Sequence, residues 1–409
     1  MKRVVVTGMS AITALGDQWP VFKEALQRGE NAVQVISDWD YLPDLNTRLA
    51  APVTHFIKPA HYTRKQVRSM GRVAIMSTRT TELALEQAGL LDDPSLTDGS
   101  TGVSFGSSTG STQPLIAFAK MMETGSMAGV TATSYIQMMA HTAPVNVGVF
   151  FGIKGRVITT SSACTSGSQG IGYAYEAIKF GRQKVMVAGG AEELCVTEAA
   201  VFDTLYATST KNQTPKLTPR PFDSERDGLV IGEGAGTLIL EEYEHAKARG
   251  ATILAELVGF GCNSDGQHVT QPTSATMQVA IEMALQDANL SADKIGYVNA
   301  HGTSTERGDI AESHATFNAL GAKPISSLKS YLGHTLGACG AIEAWASINM
   351  MTDDWFAPTI NLTEIDSKCA PLDYIIGSGR EIQTDYVMSN NFAFGGINTS
   401  LIFKRYQGE

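Results

Sequence analysis

Short β-branched runs alternate with amphipathic segments along almost the whole chain, and the alternation starts over near residue 255. The first series reads KRVVVTG, a helix near 20–28, a helix near 64–90, TGVSFG, a helix near 134–150, GRVITTSSA, a helix near 167–181 and KVMVAGG. ERDGLVIGEGAGTLILEEYEHAKARG then gives a strand and a long helix stopped by Gly250. From ATILAELVGFG onward come a helix near 274–289, IGYVNAHG, a helix near 308–320, the strand PISSLKS, a helix near 337–352 and two closing strands around DYVMSNNFAFGGINTSLIF. Such alternation specifies an α/β chain. Its restart predicts two similar α/β halves, 1–254 and 255–409, and the absence of a low-complexity linker packs them as one unit.

Composition narrows the function. With 31 Lys and Arg against 41 Asp and Glu, the net charge of -10 argues against general nucleic-acid binding, which needs a cationic surface. No apolar run approaches the roughly 18 residues of a membrane span, and MKRVVVTGMSAITALG reads as a strand and a Gly turn, so the expected location is cytoplasmic. The five cysteines (Cys164, Cys195, Cys262, Cys339, Cys369) are widely separated and include no C-x-x-C pair, which speaks against both a disulfide framework and a structural zinc.

Candidate chemistry falls at the predicted strand ends. Cys164 in SSACTSG follows a strand and precedes a helix, where the macrodipole favours a thiolate; the alternative is a small buried side chain. His301 in YVNAHGTSTERGD follows another strand, with Thr303 and Thr305 beside it, and reads otherwise as a turn-capping residue. SSLKSYLGHTLGACGAIEA adds Lys329, His334 and Glu343 after a third strand, and SNNFAFGGINTSL carries Phe392 and Phe394 in a Gly-bounded loop. A thiol, two imidazoles, a lysine and an aromatic loop at strand carboxyl ends suit nucleophilic chemistry with imidazoles donating to an oxyanion.

These motifs, with VAGGAEE and RPFDSERDG, resemble the elongating β-ketoacyl-acyl-carrier-protein synthases from end to end. The resemblance implies a thiolase fold of two pseudo-symmetric halves in an α-β-α-β-α sandwich. It implies acyl transfer from a carrier protein to Cys164, with the backbone N–H groups of Cys164 and Phe394 as oxyanion hole. Decarboxylation of malonyl-carrier protein follows, with His301 and His334 donating to the enolate, and the product is a 3-oxoacyl chain two carbons longer. Lys329 and Glu343 would orient the histidines; Thr270, Thr303 and Thr305 would bind the pantetheine arm; Phe392 would pack beside the thiol and Phe394 gate the acyl pocket. No resident cofactor or metal is implied, because the substrate brings its own phosphopantetheine. The implied assembly is a homodimer, with a heterodimer with a related subunit as the alternative, and the implied pathway is fatty-acid synthesis, with aryl-polyene or other polyketide-like assembly as the alternative.

An acidic carrier needs a basic patch, and HYTRKQVRSMGR offers Arg64, Lys65, Arg68 and Arg72; a second basic stretch common in the family near 127 is replaced by GSMAGV. Two further departures concern the acyl pocket. Ala393 stands where the family usually has Gly between the phenylalanines, and Thr109 puts a hydroxyl where an apolar side chain is expected. Rival readings are weaker. FGSSTGS contains a G-x-S-x-G match with Ser108 as nucleophile, VVVTGMSAITALG and GEGAG lack dinucleotide-binding spacing, and a non-condensing partner subunit would lack the cysteine.

Overall fold

The computed structural model describes residues 1–408. The first half contains β1 (Val4–Thr13), α1 (Arg72–Ala88), β2 (Thr101–Gly106), β3 (Val157–Thr160), α2 (Ser166–Lys179), β4 (Val185–Glu192), α3 (Val196–Asp203) and β5 (Gly234–Glu242). The second contains β6 (Ala255–Ser264), α4 (Ser274–Ala288), β7 (Tyr297–Asn299), α5 (Glu306–Leu320), β8 (Pro324–Ser326), α6 (Cys339–Thr352), β9 (Tyr386–Ala393) and β10 (Ile397–Arg405).

One topology is used twice. The first half has strand order β1-β5-β4-β2-β3, with β4, β2 and β3 parallel and β5 antiparallel to both neighbours. The second has β6-β10-β9-β7-β8, with β9, β7 and β8 parallel and β10 antiparallel to both neighbours. β1 pairs with β6 through Val4–Val6, so the halves are hydrogen-bonded into one 11-stranded sheet, extended beyond β8 by Asp373–Tyr374.

The layering follows from which helices are buried all round. α1 packs on β1, β5 and β4, and α4 on β6 and β10, as outer covers. Between them α2 touches β4 and β2 as well as β6 and β10, while α6 touches β5 and β9. Twelve of the fourteen residues in each of α2 and α6 are buried, so SGSQGIGYAYEAIK and CGAIEAWASINMMT are rich in small residues all round. The result is the expected α-β-α-β-α thiolase fold. Gly190 shows how tight the centre is: a Cβ there would lie 2.2 Å from the Gly337 carbonyl and 2.8 Å from Gly167 Cα.

Several predicted elements are divided or shortened. The helix near 64–90 is Arg64–Val67 followed, after a break, by α1. The helix near 134–150 is Ala132–Met138 and Thr142–Phe151, because Pro144 has no N–H and its ring opposes the carbonyl four residues earlier. The long helix before Gly250 is only Tyr243–Ala248, since GAGTLILEE is taken into buried β5. PISSLKS is a strand only to Ser326, and Phe392 and Ala393 belong to β9, so the loop is the three residues Phe394, Gly395 and Gly396. The two glycines carry its left-handed geometry (φ +87° and +71°), and Ala393, in a strand, needs none of it. Among the described residues no helix is long and apolar enough to cross a membrane.

Candidate active site

The parallel strands of both halves end at one place. β3 leads into a turn at Ala163–Thr165 and then α2, so Cys164 sits just before a helix N-terminus. The turn is held by its own hydroxyls: Thr165 Oγ1 donates to the Ser162 carbonyl (2.8 Å), and Ser166 Oγ donates to the Ala163 carbonyl (2.7 Å). Ala163 takes φ +50°, a conformation unfavourable for a side chain with Cβ, which turns Cys164 inward.

Cys164 is buried, and the backbone N–H groups of Phe394 and of Cys164 itself point at its sulfur. Burial nevertheless outweighs these donors and the nearby Lys329 charge, and pushes the thiol up to about 11. The resting group is therefore a thiol, not the thiolate expected from the helix dipole alone.

His334 Nε2 lies 3.0 Å from Cys164 Sγ. Its Nδ1 accepts the Leu336 backbone N–H (3.3 Å), which assigns the ring proton to Nε2, facing the sulfur. The residue is pinned by backbone bonds to the 230–232 segment: its N–H donates to the Val230 carbonyl (2.6 Å) and its carbonyl accepts from Gly232 (2.8 Å). His301, at the end of β7, stands edge-on to His334 with ring centroids 5.1 Å apart. Asn391 Nδ2 faces its Nδ1 at 3.5 Å, leaving its Nε2 proton too for the cavity. Ligating atoms of Cys164, His301 and His334 all lie within 4.8 Å of one another. Burial first, then the Lys329 charge, lowers both histidines well below their ordinary value. They are neutral N–H donors.

Lys329 is buried and its ammonium meets Glu343, whose other oxygen accepts from Asn391 (2.7 Å). Burial opposes the lysine charge, but the Glu343 carboxylate, by its charge and its hydrogen bond, raises the lysine's affinity for the proton. Phe392 packs its ring 6.2 Å from that of His301. A cavity of about 490 Å³ opens onto Cys164, His301 and His334, with Thr270, Thr303, Thr305, Phe392 and Phe394 in its wall.

Other expected residues stand elsewhere. Arg64, Lys65 and Arg68 are exposed, whereas Arg72, at the start of α1, is half-buried and already engaged, pairing with Glu233 and donating to the Val53 carbonyl (2.7 Å). Thr109 is outside the cavity wall, and its hydroxyl is already engaged with Glu198 (3.1 Å). Ser108 Oγ donates to buried Glu192 and has no imidazole, so it is not an activated nucleophile.

The sequence reading missed four buried groups. Glu312 accepts the backbone N–H groups of His301 and Gly302 (2.7 Å each), holding the β7 turn, and burial pushes its carboxyl up to about 8. Asn391 bridges Glu343 and His301, and Cys339 Sγ donates to the Cys164 carbonyl (3.2 Å). Glu198 has an oxygen with no partner. The double asparagine of SNNFAFGG was a visible polar signal inside a strand; Glu312 lies mid-helix and Glu198 in the first turn of α3, where an acid is ordinarily solvent-facing and nothing local marks it as buried.

Residues 1–246 match the family model for the beta-ketoacyl synthase N-terminal domain, and residues 254–363 that for its C-terminal domain. The chain belongs to the beta-ketoacyl synthase family. It is 36% identical to the 3-oxoacyl-[acyl-carrier-protein] synthase 2 of Vibrio harveyi over 99% of both chains. The crystal structure of a beta-ketoacyl synthase from Burkholderia phymatum STM815 is 63% identical, with a TM-score of 0.98 and complete coverage of both chains. The ishigamide ketosynthase/chain length factor superposes with a TM-score of 0.91 at 28% identity over 99% of each chain.

The neutrality of both imidazoles in this synthase is measurable. The ring-proton NMR shifts of His301 and His334 should stay constant from pH 8 down to about pH 5.5. A titration midpoint near 6.5 in either would contradict it.

Proposed function

We propose that the protein is a 3-oxoacyl-[acyl-carrier-protein] synthase that elongates acyl chains by decarboxylative condensation in fatty-acid biosynthesis. The observation that carries this is the facing of one thiol by two neutral imidazoles in the wall of a cavity of about 490 Å³. We divide the chain at 254/255: the first half supplies Cys164, the second His301, Lys329 and His334.

Each step uses a group of stated chemistry. The Cys164 sulfur attacks the carbonyl of the carrier-bound acyl thioester while the Phe394 and Cys164 N–H groups receive the oxyanion; the C–S bond to pantetheine breaks and the thiol proton leaves with that sulfur. Malonyl-carrier protein then occupies the cavity with its pantetheine arm along Thr270, Thr303 and Thr305. Loss of CO₂ leaves an enolate whose oxygen accepts from the Nε2 protons of His301 and His334. The enolate carbon attacks the acyl-Cys164 carbonyl, Cys164 leaves as thiolate and regains a proton from solvent. Lys329, held by Glu343, keeps the imidazoles neutral and contributes positive potential at the developing charge. No resident cofactor enters this scheme; the phosphopantetheine arrives with the substrate.

The carrier's docking face is Arg64, Lys65 and Arg68, whose exposure supports it; Arg72 is already paired with Glu233 and contributes less free charge. Dimer formation is expected at β3, a sheet edge where Val157 is half exposed and against which the helix bearing exposed Val149 packs. Five unpaired cysteines suit a reducing cytoplasm. The likeness to a ketosynthase/chain length factor pair favours one second reading, a polyketide-like pathway worked with a related subunit.

Cys164→Ala should abolish condensation with the fold intact, while His301→Ala or His334→Ala should cut malonyl decarboxylation by about a hundredfold or more and spare acyl transfer to Cys164. Separate assays of the two half-reactions check this, and equal loss of both would refute the donor role. Docking carries a salt signature. Charge reversal at Arg64 and Arg68 should raise KM for carrier-bound substrate about several-fold, as expected for charges at the rim of an interface, without changing KM for a free pantetheine thioester; parallel changes would remove the patch.

A further inference from the structure

One buried acid beside the reaction centre has no task in the condensation. Glu198 lies on α3, one helical turn before Phe202, whose ring lines the Cys164 cavity and meets that of Phe394 at 5.0 Å. Its neighbours Val196, Ala199 and Ala200 pack in the same apolar cluster as Cys164. Glu198 is only 4% exposed. Its Oε1 accepts from Thr109 Oγ1 (3.1 Å), and its Oε2 has no hydrogen-bond partner.

The protonation state follows from the neighbours. Thr109 Oγ1 also lies 3.3 Å from Glu192, a buried carboxyl already supplied with donors by Ser107 Oγ (2.8 Å) and the Ser108 and Gly337 backbone N–H groups (2.8 and 2.9 Å). Two carboxylates sharing one hydroxyl in a dry site do not both ionise, and Glu192 holds the donors. Burial first, and then the Glu192 charge, moves Glu198 well above the ordinary carboxylate range. Glu198 is the neutral acid. Since Oε1 is the acceptor for Thr109, the proton sits on Oε2, a buried donor with nothing to donate to, a cost that native proteins rarely carry without use.

We propose that Glu198, fixed by Thr109, is a specificity-determining residue at the far end of the acyl pocket, donating a hydrogen bond from Oε2 to an oxygen carried by the acyl chain. The Phe202–Phe394 ring pair closes the cavity on the side of α3, and displacement of Phe394 by an acyl group on Cys164 opens the way toward Glu198. The substrate class is then acyl thioesters bearing a hydroxyl or keto oxygen away from the thioester, in preference to plain saturated chains. Discrimination has a physical basis: a saturated chain leaves the acid unpaired, whereas an oxygenated one satisfies it. The proposal rests on Cys164 being the acyl acceptor.

The test is the rate of Cys164 acylation, read by intact-protein mass spectrometry, from octanoyl-pantetheine and from octanoyl-pantetheines with one hydroxyl or one keto oxygen placed at successive carbons toward the chain end. At one position the oxygenated chain should react about tenfold faster or more than octanoyl. Keto and hydroxyl chains should both gain, because a ketone can only accept; a gain confined to hydroxyl chains would overturn the proton assignment. Glu198→Leu should erase the preference while still accepting octanoyl, and Glu198→Gln, whose amide donates, should keep it. If the leucine variant does not fold, the wild-type comparison decides alone: acylation without preference for oxygen at any position overturns the proposal. Acylation by no thioester at all would overturn the condensing-enzyme reading and this proposal with it.

Discussion

The packing of α2 against α6, between the two halves of the 11-stranded sheet, is the constraint on which everything else depends. Each helix follows the outer parallel strand of its half, so bringing them together places Cys164, which precedes α2, against His334, which precedes α6. The approach is close enough that Gly167, Gly190 and Gly337 meet backbone to backbone, and the small-residue sequences of the two helices follow from it. His301 and Phe394 enter from the equivalent strand ends β7 and β9, so a reaction centre spanning both halves is a consequence of using one topology twice.

Burial then sets the chemistry. A dry cavity would ordinarily neutralise every ionisable group, and it does so for the cysteine and the histidines. Lys329 is the exception, because Glu343, held in place by Asn391, gives it a fixed counter-charge within the same pocket. One preserved cation among neutral donors provides positive potential without supplying a proton that would quench a carbanion. Uncompensated burial of the other member makes loss of either Lys329 or Glu343 far more costly than loss of a surface pair.

Much of this was legible in the sequence. Strand and helix alternation with a restart near 255 pointed to two similar α/β halves, because the period of a buried run is local information, whereas the five-layer sandwich was implied only by the family resemblance. Cys164, His301, Lys329 and His334 were found because strand carboxyl ends concentrate chemistry. What failed was non-local. The pairing of Arg72 with Glu233, the partners of Thr109, and the burial of Glu198 and Glu312 depend on segments distant in the chain. The thiolate expectation failed for a related reason: a helix dipole is visible in sequence order, but the desolvation that outweighs it is a property of the folded cavity.

On the proposed mechanism, Cys164 carries the acyl chain between two half-reactions completed by the second half of the molecule. Peptide mass mapping after exposure of the enzyme to an acyl-carrier thioester, before and after a malonyl-carrier chase, tests this most directly. The acyl mass should appear on the peptide containing Cys164 and disappear on the chase, with a 3-oxoacyl thioester released in equal amount. Acyl mass on Ser108 or Cys339, or retention on Cys164 through the chase, would contradict it.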